Sequence, residues 1–192
     1  MISEQAKQRM RELAAHYPVA RSAVMPALYI AQQEEGYITE AALEAVAEAI
    51  GMTVDDVESV ATFYTMYYQQ PPGKKVIKVC TSISCYLRNC DALVDRFEQR
   101  LGIKRGETTA DGNYTLMTVE CLASCGTAPV IQVNDEFVEN VTPEMADALV
   151  DEWKRETLAG QELHAGQGQA QPVHLHTMGA GASEGQGKAG TS

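Results

Sequence analysis

The first third of the chain has the apolar spacing of short helices. Apolar residues recur three and four positions apart, which is the period of a helix that buries one face. Residues that stop helices separate the runs, with Pro18 after the first, Gly36 after the second and Gly51 after the third. Thr53 is placed to cap a fourth run. The pattern predicts four short helices within residues 1–70.

Beyond Lys74 the apolar runs become shorter and richer in β-branched residues, as is typical of strands. Between them, residues 85–101 have the spacing of one continuous amphipathic helix with Leu87 facing inward, and a last helix is predicted to begin near Pro143. This order of elements predicts an α/β fold in which helices pack on a small sheet. Strands are predicted over residues 76–79, 115–119, 130–133 and 137–141.

Charge and hydropathy narrow the classes of partner. The 192 residues include 26 acidic and 15 basic side chains, so the formal net charge is −11. Such a chain repels phosphate backbones and anionic headgroups, and we expect no nucleic-acid partner. The sequence contains no apolar run of membrane-spanning length and its N-terminus lacks the apolar core of a signal peptide. We therefore expect no direct membrane insertion and a cytoplasmic location.

The composition changes again near the C-terminus. Residues 159–192 are dominated by glycine, alanine and glutamine, with too few apolar side chains to offset the entropy lost on ordering. We expect a flexible, disordered tail, in which His174 and His176 are solvated. The predicted organisation is thus a helical segment over 1–70, an α/β domain over 74–158 and this tail.

Five cysteines lie between positions 80 and 125. An odd number, crowded in this way, predicts a metal or redox site rather than a disulfide framework. Cys80 and Cys85 span a predicted strand-to-helix turn, while Cys121 and Cys125 follow a neighbouring predicted strand. If these strands are parallel, the four sulfurs meet at one edge of the sheet. Crowded thiolates repel one another unless a cation neutralises them, so this arrangement requires a metal.

Zinc and iron–sulfur are the two candidate metals. Structural zinc sites usually use C-x2-C pairs, and neither pair here is that short. A [2Fe–2S] cluster takes two ligands per iron and suits two separated pairs better. Cys90 follows Cys85 with the same x4 spacing, so on spacing alone Cys85 and Cys90 could form the first ligand pair instead of Cys80 and Cys85. On a continuous helix it would lie about 7.5 Å along and about 140° around from Cys85, so we expect a buried, inert thiol that points away from the site.

Two stretches of sequence around these cysteines resemble a known family. Residues 80–85 (CTSISC) and 119–130 (VECLASCGTAPV) resemble the thioredoxin-like [2Fe–2S] ferredoxin subunit (E-type) of bacterial NADH:quinone oxidoreductase, respiratory complex I. Residues 34–37 and 60–67 are also similar to that family, so the resemblance covers about residues 5–160. It implies a thioredoxin-like ferredoxin domain preceded by a small four-helix segment, and one [2Fe–2S] cluster. The ligands that it implies are Cys80, Cys85, Cys121 and Cys125.

The resemblance also implies a function. It predicts an electron-transfer subunit, in the peripheral arm on the cytoplasmic face of the membrane, whose cluster exchanges single electrons with FMN. FMN and NADH would be bound by a partner flavoprotein subunit, and a large iron–sulfur subunit would be a second partner. The chain has neither a G-x-G-x-x-G fingerprint nor a P-loop, so hydride chemistry is expected in another chain, and no residue here is assigned a catalytic role.

Two alternatives stay open at the level of sequence. The chain could serve the diaphorase module of a NAD-linked formate dehydrogenase or hydrogenase, with the same cluster chemistry. It could instead be a zinc-stabilised interaction module without redox activity. The long glycine-rich C-terminal stretch departs from the family pattern and is explained by none of these functions.

Overall fold

The computed structural model describes residues 1–158, and its N-terminal part consists of the four predicted helices. Side-chain hydroxyls cap three of them, as when the Ser3 oxygen accepts a hydrogen bond from the Ala6 amide at 3.1 Å. Gly36 ends the second helix with φ of 82°, a left-handed conformation that glycine adopts without strain. A short 3-10 turn, Ala20–Ala23, precedes that helix. The helices are α1 (Glu4–Ala14), α2 (Val24–Glu35), α3 (Glu40–Ile50) and α4 (Val54–Phe63).

These helices enclose a hydrophobic cluster of their own, formed by residues between Ile2 and Tyr67. Each helix contributes at least one side chain that is fully buried. Tyr67 completes the cluster after α4, since its ring is buried and its hydroxyl donates to the Met25 carbonyl at 2.8 Å. The buried side chains include Met10, Leu28, Val46 and Val57.

The second half of the described chain is a four-stranded sheet covered on one face by helices. The strands are β1 (Lys75–Cys80), β2 (Tyr114–Val119), β3 (Ile131–Val133) and β4 (Glu136–Val138), and the helices are α5 (Ile83–Leu87), α6 (Cys90–Leu101) and α7 (Pro143–Leu158). The strand order is β2-β1-β3-β4, with β1 parallel to β2 and the other two pairs antiparallel. Two of the helices, α6 and α7, pack together, and their side chains Phe97 and Trp153 share one apolar cluster with Ile77 and Leu116 of the sheet.

The α/β prediction is confirmed, but two predicted elements differ from the structure. The last strand ends at Val138, three residues before its predicted end. The predicted helix over 85–101 is wrong, because α5 ends at Leu87 and α6 begins at Cys90. Asn89 adopts a left-handed conformation with φ of 65°, which breaks the helical path. Leu87 consequently faces solvent with 75% of its surface exposed, rather than facing inward.

The segment between α4 and β1 contacts both halves of the chain. The Tyr68 amide donates to the Gln32 side-chain oxygen at 2.7 Å, which ties the segment to α2. The Gly73 amide donates to the Thr115 hydroxyl at 2.6 Å, which ties it to β2. In addition, the Lys78 ammonium lies 5.6 Å from the centre of the Tyr68 ring. The strand that leads to Cys80 is thus held from the helical side as well as by its neighbours in the sheet.

Two expectations concern the membrane and the tail. In residues 1–158, no helix combines the length and the apolar composition needed to cross a bilayer. The predicted tail, residues 159–192, lies outside the described residues, as does its His-x-His motif.

Candidate metal centre

The parallel register of β1 and β2 brings the two cysteine loops to one edge of the sheet. Cys80, the last residue of β1, pairs with Val119, the last residue of β2. The chain continues from Cys80 into α5, which contains Cys85, and from Val119 into the loop that contains Cys121. Strands that end in register in the same direction necessarily release both loops at the same edge.

The first pair, Cys80 and Cys85, is buried beneath that edge. Burial raises the pKa of the Cys85 thiol to about 11, because a thiolate loses its solvation there. A hydrogen bond from the Val130 backbone opposes this shift, while the adjacent Cys80 sulfur reinforces it. A thiolate at Cys85 therefore needs a nearby cation, which is the condition of a metal ligand.

The second pair, Cys121 and Cys125, lies in the exposed loop after β2. Its sulfur atoms are 3.4 Å apart, and the Ala123 amide donates to the Cys121 sulfur at 3.3 Å. That hydrogen bond lowers the pKa of the Cys121 thiol, but Cys125, desolvation and Cys80 together raise it by more. Ala123 has φ of 61°, and this left-handed residue turns the loop so that its amide faces the sulfur.

The carboxylate of Glu139, which follows β4, accepts hydrogen bonds from the same loop. The Thr127 hydroxyl donates to Glu139 at 2.7 Å, and the Ser124 hydroxyl donates to the same oxygen. These hydrogen bonds hold the pKa of the Glu139 carboxyl below its usual range. Sequence reasoning missed Glu139 because it meets the loop only after the β3–β4 hairpin has folded back, and no local motif records that contact.

The chemistry and the placement of the thiols suit an iron–sulfur cluster. The four thiols form two pairs, and Cys80 is close enough to Cys121 to influence its ionisation. Two soft thiolates per metal, in two neighbouring pairs, are what a two-iron cluster requires. The residues present therefore fit a [2Fe–2S] cluster.

Cys90 does not lie where the sequence predicts. Its burial is confirmed, since none of its surface is exposed, but it packs in one apolar cluster with Cys80, Cys85 and Ala128. The expectation that it points away from the site is wrong. That expectation assumed a continuous helix, and the break at Asn89 restarts the helix at Cys90 itself. The pKa of the Cys90 thiol is raised by burial, with further contributions from Asp91 and Cys80.

A small α/β sheet with two thiol pairs at the shared end of parallel strands is the arrangement that an iron–sulfur protein with cysteine ligands requires. The model of the thioredoxin-like [2Fe–2S] ferredoxin family matches residues 10–154, and the chain belongs to that family. The predicted family and the thioredoxin-like fold are thereby confirmed. Membership implies one [2Fe–2S] cluster.

Individual relatives agree with this assignment. The E-type NADH-quinone oxidoreductase subunit of Mycobacterium tuberculosis is 44% identical over 147 residues, which are 77% of this chain and 58% of the relative. A second relative of the same name, from Rhizobium meliloti, is 43% identical over 148 residues, which are 77% of this chain and 88% of the relative. The chain thus spans less than two thirds of the length of the mycobacterial protein.

A solved structure shows the same fold. The air-oxidised NAD+-reducing [NiFe]-hydrogenase superposes with a TM-score of 0.60 at 20% identity, over 67% of this chain and 23% of that chain. At this identity the likeness concerns the fold alone.

Proposed function

We propose that this chain is the electron-transfer subunit of an NADH:quinone oxidoreductase, where its cluster exchanges single electrons with FMN in a partner flavoprotein subunit. When bound, a [2Fe–2S] cluster accepts and returns one electron at a time. The observation that carries the proposal is the pair of cysteine loops at the shared end of β1 and β2. The relatives from Mycobacterium tuberculosis and Rhizobium meliloti, both NADH-quinone oxidoreductase subunits, support it.

The proposed ligands have different surroundings, and this difference has a function. Cys80 and Cys85 are buried, so their side of the cluster would be shielded from water. Cys121 and Cys125 are exposed, so their side would be the route by which electrons enter and leave. The Ala123 and Val130 amides donate to sulfur and would stabilise negative charge there without adding a charged group.

The ligand assignment is tested by metal analysis of the anaerobically purified chain. We expect about two irons and two sulfides per chain, as one [2Fe–2S] cluster requires. Replacing any proposed ligand by serine should impair cluster assembly, whereas Cys90→Ser should retain nearly all of the iron. A colourless protein that contains zinc would contradict the function. Loss of iron in Cys90→Ser together with its retention in Cys85→Ser would contradict the ligand set.

We further propose that the helical segment, residues 1–70, docks on the flavoprotein subunit, with the large iron–sulfur subunit as a second partner. The complex would lie in the peripheral arm on the cytoplasmic face of the membrane. The end of α4 supports this role, because Phe63 is 76% exposed and Tyr64 and Met66 are also exposed beside it. Adjacent apolar side chains left in water are typical of a surface that a partner covers.

Docking is tested by changing this surface without touching the core. The double substitution Phe63→Ser, Met66→Ser should reduce co-purification of the flavoprotein subunit with the full chain, while cluster content stays unchanged. Val54→Ser, at the opposite end of α4 and also exposed, is the matched control and should leave co-purification intact. Undiminished binding by the double variant would contradict the proposed docking surface.

A further inference from the structure

We propose that Glu139 is a positioning residue of the metal centre, whose carboxylate holds the loop of Cys121 and Cys125 in place and disfavours reduction of the cluster. This inference rests on the ligand set of the proposed function. It gives a role to a side chain that follows β4 and belongs to neither cysteine pair.

Glu139 contacts the loop on both sides of Cys125. The Ser124 hydroxyl and the Thr127 hydroxyl donate to the same carboxylate oxygen, the latter at 2.7 Å. Ser124 directly precedes Cys125, and Thr127 follows it by two residues. A hydrogen bond to a carboxylate is about twice as strong as one between neutral groups. These two bonds therefore restrain the backbone that carries the exposed ligand pair.

The backbone that follows Glu139 binds the same loop. The Asn140 amide donates to the Thr127 carbonyl at 2.7 Å, and the Val141 amide donates to the Pro129 carbonyl at 2.9 Å. Asn140 has φ of 52°, a left-handed conformation that asparagine tolerates better than most residues do. The side-chain contact of Glu139 is thus one part of a connection that includes the main chain, and this connection fixes the position of the carboxylate relative to the loop.

The charge of Glu139 has an effect of definite sign. Four thiolates, two ferric ions and two sulfides have a formal sum of about −2, and reduction adds one further negative charge. A carboxylate held beside the ligand loop repels the more negative state more strongly. Glu139 therefore lowers the midpoint potential, and removal of its charge should raise it. Because Glu139 is exposed, water screens the repulsion and keeps the shift modest.

The effect of charge is tested by an EPR-monitored redox titration of the loaded, full-length protein. Glu139→Gln keeps an acceptor oxygen but removes the charge, and we expect the reduced-to-oxidised ratio at a fixed ambient potential to rise about twofold to tenfold. Glu136→Gln is the matched control, because it removes an equal charge from β4. Glu136 pairs with Val133, which lies opposite Ile77, about 10 Å along the strand before Cys80. Its shift should be smaller than that of Glu139→Gln.

The hydrogen bonds are tested by the rate at which a chelator removes iron from the same loaded protein. Glu139→Ala removes the acceptor, and iron should be lost at least about threefold faster than from the wild type, since the loop is no longer restrained. Glu139→Gln should lie between the two, because a neutral acceptor is weaker. The double substitution Ser124→Ala, Thr127→Val keeps the carboxylate but removes both donors, and should behave like Glu139→Ala. Glu136→Ala is the control and should lose iron at the wild-type rate.

The outcomes separate this inference from the proposed function. Zinc instead of iron in the wild-type protein would overturn the function itself. With iron in the wild type, a wild-type rate of iron loss in Glu139→Ala would overturn only the inference, as would a potential shift in Glu139→Gln no larger than in Glu136→Gln. If Glu139→Ala does not load, loading of Glu139→Gln supports the hydrogen bonds. If neither loads, the double variant decides, since faster iron loss supports the inference and wild-type retention overturns it.

Discussion

Gly73 shows how one residue fixes the approach of the linking segment to the sheet. A Cβ atom at this position would lie 2.7 Å from the Tyr114 carbonyl carbon and 2.8 Å from its nitrogen. Both contacts are with backbone, which cannot rotate away as a side chain can. The requirement for glycine here therefore comes from close approach, since its φ is not left-handed.

We expect Gly73→Ala to destabilise the protein by about 1–3 kcal/mol, the usual range for a steric insertion into a packed region. A thermal or denaturant melt of the full chain measures the change. Gly126→Ala is the control, because a Cβ there meets no atom within 4 Å and its φ is also outside the left-handed region. Equal stability of Gly73→Ala and the control would show that the segment does not approach β2 this closely.

Among individual residues, the sequence predicts where the four paired cysteines lie, but it does not predict the surroundings of Cys90. The pairs flank strand ends, and strand ends are marked locally by β-branched runs and turn residues. The position of Cys90 depends on the left-handed conformation of Asn89. Asparagine tolerates that conformation but is common elsewhere, so its presence within an amphipathic run does not predict a break.

At the scale of elements, α6 and α7 are joined by an ion-pair network above their apolar contact. The Arg96 guanidinium donates to both carboxylate oxygens of Asp147, at 2.7 and 2.5 Å. Beneath it, the rings of Phe97 and Trp153 lie nearly parallel with centres 6.4 Å apart. The hydrogen bond from Arg96, followed by the charges of Arg96 and Arg100, lowers the pKa of the Asp147 carboxyl against an opposing effect of burial.

This lowered pKa predicts a pH-dependent contribution to stability. A carboxyl with a lower pKa in the folded state stabilises the fold above its unfolded value, near 3.8, and loses that effect as the pH falls through its folded value. Asp147→Asn should therefore lower the melting temperature at pH 7, and the difference from the wild type should narrow below about pH 4. Melts of the metal-free chain measure this without interference from acid loss of iron. A difference that is constant from pH 7 to pH 3 would contradict the assignment.

The strands and helices of the α/β half are predictable from their apolar residues, whereas the positions of the paired cysteines are predictable from the ends of strands. Apolar periodicity identifies α7, which buries Ala146, Val150 and Trp153 on one side, while β1 and β2 are identified as short runs in which every residue is buried or partly buried. The short β4 has only three residues, with Phe137 exposed in the middle, and its C-terminal limit is therefore poorly marked. The bracing of the cysteine loop by Glu139 depends on this hairpin and is absent from any local pattern.

At the scale of the whole molecule, charge predicts a low reduction potential. The cluster is formally anionic, and the chain around it has a net charge of −11. We expect a midpoint near or below about −400 mV, the value of plant-type ferredoxins with four cysteine ligands. The Ala123 and Val130 amides moderate the effect but supply no net positive charge.

An EPR-monitored titration of the full chain gives this midpoint directly, and incubation with NADH and the flavoprotein subunit gives the extent of physiological reduction. We expect only partial reduction by NADH, which suits an electron reservoir beside the flavin better than an obligatory step towards quinone. Complete reduction by NADH, with a midpoint well above that of NADH, would contradict the electrostatic argument.

Because Cys80 pairs with Val119, formation of the metal centre reports whether β1 and β2 have paired in the correct register. Successive residues of a strand face opposite sides of the sheet, so a slip of β1 by one position would turn Cys80 towards α6 and α7. The two cysteine loops would then no longer face each other, and the proposed ligands could not hold one cluster. A chain that acquires the colour of its cluster has therefore already aligned its parallel strands correctly, and a misaligned chain would stay colourless after purification.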